Sequence, residues 1–226
     1  MLGFYNYTVW LTYLSLLSGG VGICMAFLNH PLIAVLCLII SGICDMFDGT
    51  IARTKKDRTH EEKVYGIQID SLSDLICFGV LPVVIGYSIG LNQLYIIPVY
   101  ALFILFGMIR LSYYNVLELG RMKKNEEGED GVIEIEEDKV KKEKKKYFIG
   151  LPITTSAIVM PLLFLLWNIV SVDNFRWIYL AFLSFIGIMY VIKIKIPKPN
   201  FVVSIIFTVL GVILIGALIF LNIKNM

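Results

Sequence analysis

Seven apolar runs, near residues 9–28, 31–52, 67–89, 93–117, 148–169, 175–192 and 200–222, occupy most of this 226-residue chain. A helix needs about 20 such residues to cross the hydrocarbon core of a bilayer, and in lipid only helices and closed barrels satisfy their own backbone groups. The chain therefore reads as an all-α, polytopic transmembrane helix bundle of about seven spans, within a range of six to eight. Composition agrees, with 58% hydrophobic and 17% charged residues against about 45–50% and about 25% in soluble domains. No large separate soluble domain fits, so residues 1–226 read as one transmembrane domain. The opening residues MLGFYNYT hold no Lys or Arg, and no A-x-A-like cleavage site follows the first run, which reads as a span and not as a cleavable signal peptide. Cys24, Cys37, Cys44 and Cys77 lie inside apolar runs without the paired spacing of a zinc site, and read as buried thiols.

A net charge of +2 argues against a nucleic-acid partner, but the distribution of charge is informative. Alternating the loops puts 17 of the 20 basic residues on one side. The other side has only Arg176 and Lys224, and Arg110 falls within the fourth run. The positive-inside rule then places the N-terminus and the basic loops in the cytosol and the C-terminus outside, in a multi-pass protein of the cell membrane. The largest of these loops, about 118–147, reads as a charged cytosolic insertion whose basic end, Lys139 to Lys146, suits anionic headgroups.

The facing ends of the second and third runs carry four aspartates within 30 residues, in CDMFDGTIART and GIQIDSLSDLICFGVLP. A single aspartate at the bilayer centre costs about 2.5–3.5 kcal/mol, so four require compensation. Asp45 and Asp48 are i, i+3 neighbours on one helix face, and Asp70 and Asp74 are i, i+4 neighbours on the next. A short connection makes the two helices antiparallel, so both pairs can converge near the cytosolic face. Such hard oxygen donors suit Mg²⁺ or Mn²⁺, singly or as a pair of ions, and the lack of His or Cys ligands argues against zinc. Gly49 and Ala52 share the Asp45 and Asp48 side, and Gly66 lies one turn before Asp70; their small size allows either close helix packing or the approach of a pyrophosphate.

Asp45-x2-Asp48-Gly49-x2-Ala52-Arg53, then twelve residues, then Gly66-x3-Asp70-x3-Asp74 resembles the signature of the CDP-alcohol phosphotransferase family. The stretch between Arg53 and Gly66 is four residues longer than the commonest family spacing. Asp70-Ser71-Leu72-Ser73-Asp74 with Phe78-Gly79-Val80 and Pro82, Arg110-Leu111 with Asn115-Val116, and Phe148-x-Gly150-Leu151-Pro152 resemble the phosphatidylserine synthase branch. Tyr113 and Thr154 depart from it, standing where that branch commonly has a second arginine and a proline.

The resemblance implies an enzyme that transfers the phosphatidyl (or archaetidyl) group of CDP-diacylglycerol or CDP-archaeol to the hydroxyl of L-serine and releases CMP. It implies that Asp45, Asp48 and Asp70 hold two divalent cations, with Asp74 a shared ligand or the catalytic base. Gly49, Ala52 and Gly66 are expected to admit the CDP-lipid, and Arg53 and Thr59 to hold its nucleotide. Arg110 either snorkels or pairs with Asp48, or grips the serine carboxylate with Tyr113 and Asn115 completing the pocket. A homodimer is the implied assembly. An inositol phosphate or glycerol phosphate acceptor is the rival within the family. An ion-coupled transporter is the alternative from another class, though paired halves with interrupted helices are not evident.

Overall fold

The computed structural model describes residues 3–52, 54–55, 57–127, 147–167, 169–197 and 201–224. Arg53 and residues 128–146 of the charged insertion lie outside the described residues.

α1 (Trp10–Phe27) and α2 (Pro31–Ala52) form a hairpin whose turn puts Asn29 at φ 60, a left-handed conformation that Asn tolerates. Pro31 opens α2, where a missing N–H costs nothing. With no water to serve them, the hydroxyls of the hairpin turn to backbone carbonyls: Ser15 Oγ donates to Ser41 O at 3.2 Å and Ser41 Oγ to Ser15 O at 2.9 Å. Gly19 and Gly22 keep α1 close to its neighbours, since a Cβ would lie 2.5 Å from Cys77 Sγ at the first and 2.9 Å from Cys37 Cβ at the second.

α3 (His60–Asp74) continues through a π-helical segment, Leu75–Val80, into α4 (Leu81–Ser88). α3 starts seven residues before the apolar run expected at 67 because Thr59 and Glu62 form a capping box. Near the π segment, Pro82 has no N–H to offer the carbonyl of Phe78 four residues back, and Ser156 Oγ donates to that carbonyl at 3.0 Å. π segments of this kind are often found at functional sites, and this one begins directly after Asp74.

α5 (Ile97–Glu127) runs well past the expected end at 117, so the first part of the charged insertion is helical. The fifth run yields only α6 (Ser156–Phe164), because Gly150 at φ 80 and Pro152 prevent a helix from starting earlier. α7 (Val172–Val191) and α8 (Phe201–Lys224) complete the bundle. Two short strands not anticipated from the sequence, β1 (Tyr147–Ile149) and β2 (Lys195–Pro197), pair antiparallel with Phe148 opposite Ile196. The core is centred on Phe78, Leu81, Ile85, Phe103, Phe175 and Tyr179, with Tyr179 OH donating to Pro82 O at 2.7 Å.

Five helical stretches, Tyr7–Phe27, Pro31–Ala52, His60–Ser88, Leu94–Met122 and Val172–Val191, are long and apolar enough to cross a membrane; Ile153–Phe164 and Thr208–Phe220 are shorter apolar helices. The protein is thus an all-α, multi-pass membrane bundle with at least five candidate spans among the described residues. Cys37, Cys44 and Cys77 are buried free thiols, but Cys24 is exposed. An apolar surrounding sequence does not separate an inward face from an outward one when the solvent is lipid.

Candidate metal centre and adjoining cavity

The convergence expected of the aspartates is present where α2 and α3 come together. One carboxylate oxygen from each of Asp45, Asp70 and Asp74 lies within 4.8 Å of the others. Asp48 reaches the group through a side-chain contact with Asp70 and accepts a hydrogen bond from Thr12 Oγ1 at 3.0 Å. Thr12 enters from α1, and its carbonyl accepts from Ser73 Oγ at 3.4 Å, so three helices are tied together at the acids. Asp70 Oδ1 is buried with no hydrogen-bond donor among the described residues. An orphaned carboxylate oxygen inside an all-oxygen donor set is the arrangement a hard divalent cation completes, so the residues present fit such an ion.

Beside the acids lies a cavity of about 250 Å³ whose lining includes Asp70, Asp74, Arg110, Tyr114, Asn115 and Glu118. Arg110, Tyr114 and Glu118 are i, i+4 and i+8 on α5 and share one stripe. Arg110 is buried, with its guanidinium carbon 4.7 Å from the centre of the Tyr114 ring. Gly150 makes room for it, since a Cβ there would lie 2.7 Å from Arg110 Nη1. Asn115 Oδ1 accepts from Ser71 Oγ at 2.7 Å, which fixes the amide against α3.

The structure does not gather every expected site residue. Tyr113 is exposed and stands outside the cavity lining, which takes Tyr114 instead. Thr59 is the N-cap of α3, its Oγ1 accepting from Glu62 N at 3.2 Å. Gly49 is exposed and Ala52 half-buried at the end of α2. Gly66 lies under the guanidinium of Arg58, whose Nη2 is 2.6 Å from where a Cβ would be. Thr12, Arg58, Tyr114 and Glu118 were not singled out by sequence reasoning. A threonine in an apolar run and the i, i+4, i+8 stripe from Arg110 were the available signals for three of them.

A model of the family described as CDP-alcohol phosphatidyltransferase matches residues 5–221. Among curated proteins, the CDP-diacylglycerol–serine O-phosphatidyltransferase of Saccharomyces cerevisiae is 30% identical over 176 residues, covering 71% of this chain and 57% of the yeast protein. The enzyme of that name from Helicobacter pylori is 31% identical over 165 residues, covering 71% and 59%. The archaetidylserine synthase of Methanothermobacter thermautotrophicus is 30% identical over 151 residues, covering 66% and 54%. The chain thus spans a little over half the length of these relatives. With the family match running over nearly the whole sequence and the aspartates of the signature gathered at one site, the chain belongs to the CDP-alcohol phosphatidyltransferase family of enzymes.

Proposed function

We propose that the protein transfers the phosphatidyl or archaetidyl group of a CDP-activated lipid to the hydroxyl of L-serine, with release of CMP. The observation that carries this reading is the cavity in which Asp74, Arg110 and Glu118 line one space beside the acidic cluster. Serine is a zwitterion with a hydroxyl. Arg110 offers a planar fork for its carboxylate, Glu118 an anion for its ammonium group, and Asp74 a base for its hydroxyl proton. Inositol phosphate and glycerol phosphate have no ammonium group for Glu118 to meet. The names of the relatives support the same acceptor.

Asp45, Asp48, Asp70 and Asp74 would hold the metal, which we take to be Mg²⁺ or Mn²⁺, as two ions. When bound, the cations supply neutralisation of the charge that develops on the diphosphate and its leaving group. The serine oxygen forms its new bond to the lipid-side phosphorus, its proton passes to the Asp74 carboxylate, and the phosphoanhydride bond breaks with its electron pair leaving on CMP. Gly49 and Ala52 leave room for the CDP-lipid in this reading, and Arg53, outside the described residues, keeps the role the resemblance implies for it, that of holding the nucleotide. Thr59 caps the helix that carries Gly66 and two of the acids, and from that position it can serve the nucleotide as well as the cap. The positive-inside rule, applied to the loops that hold most of the basic residues, supports a cytosolic face for this site, and the family resemblance supports a homodimer, for which cross-linking in native membranes is the check.

Release of CMP from CDP-diacylglycerol or CDP-archaeol by the purified protein, with serine, inositol phosphate and glycerol phosphate supplied in turn, tests the acceptor. Serine is expected to give the fastest release. Release with glycerol phosphate or inositol phosphate but not with serine would replace this reading by its rival.

A further inference from the structure

The connection between α2 and α3 carries a cation outside the eight signature positions. Arg58 folds its guanidinium back between the end of α2 and the first turns of α3. Its Nη1 donates to Ala52 O at 3.4 Å and its Nη2 to Glu62 O at 3.3 Å, both beyond the usual N–H···O range of about 2.7–3.2 Å. Its Nε is buried with no acceptor among the described residues. The carboxylate of Glu62, in the first turn of α3, is committed elsewhere. Glu62 accepts from Lys55 Nζ at 2.9 and 3.1 Å, from Thr59 N at 3.2 Å, and from Asn6 Nδ2. A guanidinium in this state has a fork of donors, two long carbonyl contacts and one donor unsatisfied.

Its position gives the missing acceptor a chemical identity. The guanidinium covers Gly66, with Nη2 2.6 Å from the place of a Cβ. Gly66 is one helical turn, about 6 Å along the axis, from Asp70 and on the same stripe. On the proposed function a diphosphate held at the acidic cluster would extend along that stripe, and a phosphate presents the pair of acceptors that a guanidinium fork matches.

We propose that Arg58 is a phosphate-gripping residue of the nucleotide subsite, and that Gly66 lacks a side chain in this protein in order to seat the Arg58 guanidinium. This rests on the reading of the site as one for a CDP-activated lipid. It gives Gly66 a different job from the one expected of it, which was to leave room for the substrate itself.

The test is binding of CDP and of cytidine to the purified full-length protein in detergent with Mn²⁺, followed by calorimetry. Arg58→Gln should weaken CDP by about tenfold or more, as loss of a charge-assisted hydrogen bond does, and leave cytidine unchanged. Arg58→Lys should fall between the two, and it carries the test if the Gln variant loses its monodisperse elution. Gly66→Ala should weaken CDP in the wild-type background and add less than twofold on top of Arg58→Gln. Wild-type affinity for CDP in either Arg58 variant would overturn the role of Arg58. An equal penalty from Gly66→Ala in both backgrounds would show that the glycine makes room for the nucleotide and not for Arg58. Failure of the folded wild-type protein to bind CDP at all would instead remove the CDP-lipid reading, and this inference with it.

Discussion

The side chains around the aspartates are as constrained as the aspartates themselves. Thr12 donates to Asp48 from another helix, and partners of ligating carboxylates typically affect metal affinity or activity by about 10–100-fold. Thr12→Val, which keeps the shape and loses the donor, should therefore lower apparent Mn²⁺ affinity by about that factor in a metal titration, while Thr12→Ser restores most of it. Arg110→Lys keeps the charge and loses the fork. Steady-state kinetics should show the KM for serine rising far more than that for the CDP-lipid, and an equal effect on both would take Arg110 out of the acceptor cavity. The aspartates were legible in the sequence because four carboxylates in apolar helices, paired at i+3 and i+4, cost too much to keep there without a cation to meet them. Arg58 was not, because its place depends on how the connection folds back onto α3, and no periodicity records that. Tyr113 and Tyr114 are adjacent in sequence, and a helix turns adjacent residues about 100° apart, so choosing the one that lines the cavity required the orientation of α5.

Helix ends decide where these side chains point. The capping box at Thr59 fixes the start of α3, and replacing an N-cap threonine by alanine costs about 0.5–2 kcal/mol. Thr59→Ala should lower the midpoint of thermal unfolding in detergent, and Thr59→Ser should recover it. If Thr59→Asn, which caps through its amide oxygen but has no hydroxyl, restores stability without restoring CDP binding, the hydroxyl has a role at the nucleotide besides the cap. At the other end of the hairpin, Gly22 abuts Cys37 Cβ at 2.9 Å and Leu81 at 3.1 Å as measured from a would-be Cβ. Gly22→Val should destabilise the bundle by about 1–3 kcal/mol through overpacking, read as a lower unfolding midpoint with the acids themselves intact. Thr59-His60-Glu61-Glu62 has the spacing of a capping box, a signal that hydropathy does not use; the apolar run begins only at 67, and reading by hydropathy alone therefore starts the helix late. The short α6 follows from Gly150 and Pro152, whose effect on a span depends on backbone geometry that composition does not carry.

Across the whole molecule, the contacts separate two ends. Asn6 meets Glu62 and β1 pairs with β2 at the end that holds the acids, whereas Arg176 Nε donates to Ile89 O at 2.7 Å at the opposite end. The alternation of loops read from the basic residues has this same division among the described residues. The ribbon was not legible, since strands of three residues are too short to show alternation. The orientation proposed from the positive-inside rule has the basic loops in the cytosol; on it, tags at the N-terminus and at residue 130 should both be accessible in inside-out vesicles and a C-terminal tag protected. Protection of the residue 130 tag would reverse the orientation. The central claim is that the acids hold a divalent metal at which a CDP-lipid is joined to serine. Incorporation of labelled L-serine into lipid by the purified protein, given CDP-lipid with Mg²⁺ or Mn²⁺, with EDTA, and with Asp70→Asn, tests this most directly. Labelled phospholipid and stoichiometric CMP are expected with the metal, and neither with EDTA nor with the variant; full incorporation in the chelator, or by Asp70→Asn, would refute the metal role of the acids.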